Sequence, residues 1–511
     1  MGSRIKNSLR NSFWGATSNL VMTLLNFIVR TIFIKVLGNQ YLGINGLFTN
    51  ILYVLSFAEL GVGHAITYCM YKPVAKNNYD KINSLLKLYK KMYTIIGVSI
   101  FLMGILVIPF FPFIIKDMPN IPESLILIYI LYLLETSLSY FFSYKKSIIT
   151  VNQKDYVCDK VRLLLSVIKS VLQIIVLLLF KNYILYLIIY VLSTLLTNII
   201  LSIIANKKYP YIKQKNIKEI DEEEKKDIIN NIKSLFLYKL GRVSLSGTDN
   251  IIISALIGIT AVGLYSNYSL IISAVSGITY ILLKGTISSV GNVNATENIE
   301  KKEEIMKTLL FISTWLYGFI TICLIILLNP FIELWLGKEY LLSIITITSA
   351  VFYIFIDGIE FASHTYISTL GYFKETRYSS FICAIINIIL SIILGKIWGY
   401  FGIFISTSIS KLLTSSWYDT YVIYKHEFKK TPWSYYLKHI TSILIVTINF
   451  LICFVTSQLI TGNSISCFIL KSSIVVLLSN IIFTIFYYKT KEFKTLWNKL
   501  FKEKFLWKKQ N

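Results

Sequence analysis

An all-α polytopic membrane protein of about 14 transmembrane helices is the fold class this sequence predicts, with two six-helix lobes in parallel orientation plus two C-terminal helices. Three observations predict it: a composition too apolar for water, long apolar runs spread from residue 13 to residue 488, and an internal repeat at a constant offset of 220 residues. The 511 residues are 55% hydrophobic and 15% charged, with a mean hydropathy of +0.63. A soluble domain carries about 25% charged residues, so a soluble globular protein is excluded.

A bilayer core of about 30 Å takes about 20 apolar residues as helix. Span one, 13–37, is too long for a cleavable signal and contains Arg30 and Lys35. Span two, 44–70, opens after the corner glycines Gly38 and Gly43 and contains Glu59, Gly61 and Gly63. Span three, 94–115, leaves a lysine-rich connection, and span four, 124–143, runs into the basic Lys145 and Lys146. Spans five and six, 163–180 and 184–205, are joined at Lys181. The polar segment 206–234 carries the acidic cluster Asp221, Glu222, Glu223 and Glu224 and reads as a solvated connecting loop. Spans seven and eight, 235–257 and 261–283, flank Gly258. Spans nine to twelve follow at 308–328, 341–369, 379–398 and 402–424, and spans thirteen and fourteen at 437–460 and 465–488. Continuous apolarity, without the alternation of a lipid-facing strand, makes these helices and not a barrel. The tail interleaves Phe493, Leu496, Trp497 and Leu500 with lysines and reads as an amphipathic helix on an anionic inner leaflet.

Charge sets the orientation. The net charge of +24 sits in connections, and one set of connections and both termini hold nearly all of it. The opposite set holds Lys116, Lys181, Lys338 and Lys396 alone. By the positive-inside rule both termini face the cytoplasm, the expected location is a bacterial cytoplasmic (inner) membrane, and nucleic acid is not a partner. Cys69, Cys158, Cys323, Cys383, Cys453 and Cys467 show no close pairing, so neither a disulfide framework nor a zinc site is indicated.

The repeat sets the domains. Adding 220 carries Gly38 to Gly258, Gly43 to Gly263, Asn78 to Asn298, Lys81 to Lys301 and Lys87 to Lys307 without a gap. Span one then maps to span seven, giving an N-lobe over 1–205, a connecting loop over 206–234 and a C-lobe over 235–424. Spans thirteen and fourteen, 425–488, are an appendage followed by the tail 489–511. Six spans per lobe leave both lobes in one orientation, the plan of an alternating-access carrier.

The stretch RTIFIKVLGNQYLGINGLFTNILYVLSFAELGVGHAITYCMYKPVA, Arg30 to Ala75, resembles the opening of Wzx-type polysaccharide flippases of the multidrug/oligosaccharidyl-lipid/polysaccharide exporter superfamily. YKKSIITVNQKDYV at 144–157 and PFIELWLGKEY at 330–340 are similar to later landmarks of that family. The resemblance implies translocation of undecaprenyl-pyrophosphate-linked repeat units from the inner to the outer leaflet, for capsule or O-antigen-type polysaccharide, alongside polysaccharide polymerase machinery. A peptidoglycan-precursor flippase and a multidrug exporter are alternatives on the same plan.

Charges kept inside spans cost about 2.5 to 3.5 kcal/mol each at a helix centre. A pyrophosphate headgroup would need cations, for which Arg30, Arg242, Lys239 and Lys411 are the candidates. Asp249, Asp357, Glu360 and Glu59 are candidates for coupling to H+ or Na+, with Asp357 and Glu360 three residues apart on one helical face. The competing readings are mutual neutralisation, such as Arg30 with Asp249 or Glu59, and interfacial roles for His64 and His364. There is no Walker motif, no metal-ligand spacing and no nucleophile beside a base, so no resident cofactor and no enzyme are expected. An integral-membrane glycosyltransferase or polymerase would need a sizeable outer loop, and the longest here is roughly 116–123.

Overall fold

A computed structural model describes residues 2–59, 61–214, 219–230, 232, 236 and 247–498, and every regular element among them is helical. In a bilayer an α-helix satisfies all its backbone groups within one segment, which is what long apolar runs require. The principal helices are α1 Gly2–Leu37, α2 Asn39–Leu55, α3 Val62–Ala75, α4 Tyr79–Val107, α5 Leu125–Phe141, α6 Lys146–Val151, α7 Asp155–Phe180 and α8 Tyr183–Lys208. They continue with α9 Asp249–Leu256, α10 Ile259–Thr296, α11 Ile299–Trp335, α12 Ile344–Leu370, α13 Phe373–Trp398 and α14 Tyr400–Leu413. The last are α15 Ser415–Ile423, α16 Trp433–Gln458, α17 Ile465–Tyr487 and α18 Lys491–Trp497.

Ten helices among the described residues are long and apolar enough to cross a membrane, and eleven if Leu125–Phe141 and Ser143–Val151, bent by 40°, form one span. The difference from the expected fourteen has a local cause at each place. Span two is broken into α2 and α3 by the 3-10 turn Ser56–Glu59 and by Gly61, whose φ of 101° is a left-handed conformation that glycine adopts without steric cost. Span twelve is broken at Thr414, with φ −129° and ψ −89°, between α14 and α15. Span seven lies largely outside the described residues, and α9 is its described end. Leu172, Leu178, Leu179 and Phe180 on α7, and Ile389, Ile393 and Ile397 on α13, are exposed. Apolar faces of this kind suit lipid.

The chain packs as two compact units, Met1–Gly263 and Leu264–Asn511. In the first, α1 lies along α7, α4 along α5, and α8 against both α5 and α7. Phe48 anchors its core, edge-on to Tyr129 and stacked on Phe111. Helix α9, which the sequence repeat assigns to the second lobe, packs on α2 within this first unit. In the second unit α11 runs along α12, α13 along α14, and α16 and α17 pack together against α11. Gly358 is obligatory there, because a Cβ would collide with the Tyr317 ring. Phe493 of α18 stacks on Trp315 at 6.0 Å, so the tail begins as a docked helix; its remainder, 499–511, lies outside the described residues.

The repeat is visible in local geometry. Asn78 and Asn298 are the N-caps of α4 and α11, accepting from the Lys81 and Lys301 N–H groups at 3.0 and 2.9 Å. At the α1–α2 and α9–α10 corners the contact is reciprocal: a Cβ on Gly43 would strike the Ile259 carbonyl, and one on Gly263 would strike the Asn39 carbonyl. Asn39 Nδ2 also donates to the Thr260 carbonyl at 2.9 Å.

Candidate functional site

In the first unit, α1 places Arg30 among aromatic groups. The ionisable groups acting on its charge are the phenols of Tyr186 and Tyr183 on α8 and Tyr132 on α5. Tyr132 and Tyr183 share a hydrogen bond of 3.0 Å, and Phe33, one turn beyond Arg30, packs edge-on against Tyr183 and Tyr186 at 5.6 and 5.3 Å. Arg30 Nη1 is buried without a hydrogen bond, and among the described residues no carboxylate pairs with the guanidinium. A buried charge without partner is among the costliest arrangements in a protein interior. The same face of α8 continues polar at helical spacing: Lys169 lies 5.2 Å over the Tyr190 ring, Thr194 donates to Glu135 at 2.7 Å, and Asn198 donates to the Ser139 carbonyl at 2.9 Å.

The two carboxylates considered as partners for Arg30 are elsewhere engaged or placed. Glu59, on the turn between α2 and α3, accepts from Tyr93 at 2.7 Å, and Gly63 leaves the room this needs, since its Cβ would crowd both Tyr93 and Tyr89. Asp249 stands in the first turn of α9 with its Oδ1 buried and unbonded.

The second unit holds a buried charge cluster. Lys411 of α14 lies 2.5 Å from Asp357 Oδ1 and 2.9 Å from Glu360 Oε2, both on α12. Glu360 Oε1 accepts from Ser415 at 3.1 Å and from Ser416. The break at Thr414 is what turns the first residues of α15 toward it. His364 bridges onward, with Nε2 3.2 Å from Glu360 and Nδ1 3.6 Å from Asp419. Glu360, Lys411 and Asp419 are 1%, 4% and 4% exposed. Asp357, Glu360 and His364 also bring ligand-type atoms within 4.8 Å of one another, a spacing that suits a small cation. The Lys411 ammonium already stands between the two carboxylates, so the positive charge at that point is tethered to the chain. Three carboxylates, Asp357, Glu360 and Asp419, thus stand against one ammonium in this cluster.

Of the eight residues singled out from sequence, the fold brings together Asp357, Glu360 and Lys411. Arg30, Glu59 and Asp249 belong to the first unit, and Lys239 and Arg242 lie outside the described residues. Asp419 and the tyrosines around Arg30 escaped the sequence reading. Asp419 was legible as a carboxylate inside the 402–424 run, eight residues after Lys411, and Tyr183, Tyr186 and Tyr190 as a helical stripe.

A family model described as "Polysaccharide biosynthesis protein" matches residues 8–287. No curated protein sequence matches the chain. Among solved structures, the chain is similar to the Lipid II flippase MurJ in an inward closed conformation, with TM-score 0.70, 16% identity, and 93% of this chain and 98% of that one covered. It is also similar to an inward-facing multidrug resistance MATE family transporter of the MOP superfamily, with TM-score 0.58, 14% identity and coverage of 79% and 95%. A third is a point mutant of the Vibrio cholerae MATE transporter VcmN, with TM-score 0.56, 13% identity and coverage of 82% and 95%. At these identities the likeness establishes the fold alone, that of a multi-pass helical membrane protein.

Proposed function

Because the chain belongs to the polysaccharide biosynthesis protein family, we propose that it is a flippase, not an enzyme, carrying undecaprenyl-pyrophosphate-linked oligosaccharide from the inner to the outer leaflet of a bacterial cytoplasmic membrane. The observation that carries this reading is Arg30: a half-buried guanidinium among tyrosines, its Nη1 buried without a hydrogen bond and with no carboxylate to neutralise it among the described residues. A pyrophosphate entering that place supplies the missing counter-charge, and the planar fork of arginine meets phosphate oxygens two at a time. The tyrosine hydroxyls add donors for phosphate or sugar oxygens. Arg242 and Lys239 are proposed to extend this cationic path. The Asp357, Glu360 and Lys411 cluster, with Asp249 and Glu59 as further carboxylates, is proposed to couple translocation to a proton or sodium gradient. The basic connections support cytoplasmic termini, and handover to a polymerase fits capsule or O-antigen-type export.

Flipping of a fluorescent undecaprenyl-pyrophosphate sugar in proteoliposomes under a pH or sodium gradient tests the proposal. The intact chain is expected to flip it, Arg30→Ala to lose about tenfold or more of the rate, and Arg30→Lys to recover part, in line with one charge-assisted contact. Unchanged flipping by Arg30→Ala overturns the anion site. A peptidoglycan-precursor cargo is the second reading, favoured by the near-complete overlap with the Lipid II flippase fold; preferential flipping of a muropeptide-linked lipid would select it.

A further inference from the structure

The repeat builds one corner of the fold twice, with opposite electrostatic results. Where α4 begins, Lys87 and Lys90 converge with Lys145, from the turn before α6, on a cavity of about 250 Å³ that Asn83 and Tyr144 help to close. Liquid water occupies about 30 Å³ per molecule, so the space is that of a small polar headgroup. Among the described residues no carboxylate lines it. Lys87 alone of the three reaches one, Glu219 at 3.3 Å, in an exposed pair of little strength. Asn83 is 1% exposed, and its Nδ2 is committed to the Tyr211 carbonyl and to Gln214 Oε1, both at 2.9 Å. Its Oδ1 is left buried without a hydrogen bond, an arrangement that native proteins rarely leave unfilled.

The counterpart is the cavity of about 350 Å³ where α11 begins. Lys307, at Lys87 plus 220, lines it, but here glutamates cancel the lysines. Lys307 and Lys430 pair with Glu303 at 2.5 and 2.7 Å, and Lys438 pairs with Glu492. The hydrogen bond to Glu303, and then its charge, hold the Lys430 ammonium above the ordinary lysine value. Position in the fold therefore does not by itself require acidic partners to be absent. The first-unit cavity is the one that keeps its positive charge open.

We propose that this cavity binds the headgroup of an anionic, phosphate-bearing lipid, with Lys87, Lys90 and Lys145 as counter-charges and Asn83 Oδ1 accepting a hydrogen bond from a hydroxyl of the headgroup. The site is separate from Arg30 and does not rest on transport. Two sources share this chemistry: a hydroxyl-bearing phospholipid such as phosphatidylglycerol, and a polyprenyl-linked sugar pyrophosphate.

Native mass spectrometry of the full chain, titrated with short-chain phosphatidylglycerol, with an undecaprenyl-pyrophosphate sugar and with phosphatidylcholine, tests it. Binding of one or both anionic lipids above phosphatidylcholine is expected, and the tighter of the two identifies the source. The variant K87Q/K90Q/K145Q should bind about tenfold more weakly or worse, the equivalent of one lost charge-assisted hydrogen bond. K87R/K90R/K145R should retain binding, which separates loss of charge from loss of fold, and K307Q/K430Q/K438Q should leave it unchanged. Equal affinity of the glutamine triple and the intact chain, or no preference over phosphatidylcholine, overturns the proposal. Arg30→Ala should keep phosphatidylglycerol binding, and an intact chain that binds lipid here yet fails to flip refutes the transport reading alone.

Discussion

Lys411 and Arg30 are both cations set in apolar helices, and they meet the cost of burial in opposite ways. Lys411 is neutralised inside the protein, with two carboxylates within 2.9 Å. Removing one partner of a buried pair typically costs about 3 to 5 kcal/mol, because the other charge is left behind. Lys411→Met should therefore lower the thermal unfolding midpoint in detergent sharply, by roughly that free energy, and adding Glu360→Gln should restore part of the loss. A midpoint within a degree or so of the intact protein would show that the pair does not form. Arg30 has no such partner, so Arg30→Met is expected to leave the midpoint unchanged or raised while it abolishes anion-dependent function. The charges themselves were legible in the sequence as interruptions of apolar runs. Their pairing was not, since Asp357 and Lys411 are 54 residues apart and meet only once α12 lies against α14.

At the scale of elements, lengths of apolar sequence predicted where helices run but not where they break. A window over 44–70 or 402–424 averages across Gly61 and Thr414, whose backbone conformations decide the outcome residue by residue. Such breaks place helix ends beside charged side chains: Glu59 sits at one, and Ser415 and Ser416 reach Glu360 from the other. The repeat paired Asn78 with Asn298 in the sequence, but that both are caps shows only in the structure, where the helices begin well before the apolar runs. Asn78→Ala and Asn298→Ala should each cost about 1 kcal/mol, and hydrogen exchange should show faster opening of the first turn of α4 or α11 respectively. Protection unchanged in either variant would mean that the cap is not what holds that turn.

For the whole molecule, the distribution of basic residues and the helix boundaries make one joint prediction about sidedness. In intact cells of a cysteine-free background, Lys338→Cys should react with an impermeant maleimide from outside, whereas Lys425→Cys should react only after permeabilisation. Reversed labelling would overturn the orientation while leaving the fold intact. The tyrosine shell of Arg30 was legible only in part: Tyr183, Tyr186 and Tyr190 have helical spacing on α8, but α1 and α5 join them from positions up to more than 150 residues away that no periodicity links.

The reciprocal corner of the first unit has a meaning beyond packing. Residue 43 meets 259, which is 39 plus 220, and residue 263, which is 43 plus 220, meets 39. A surface in which i touches j while the copy of i touches the original of j is isologous, the relation found at the two-fold axis of a symmetric dimer. Within a single polypeptide it makes the two glycines answer for each other's corner: a side chain at either one would push away the backbone of the opposite copy.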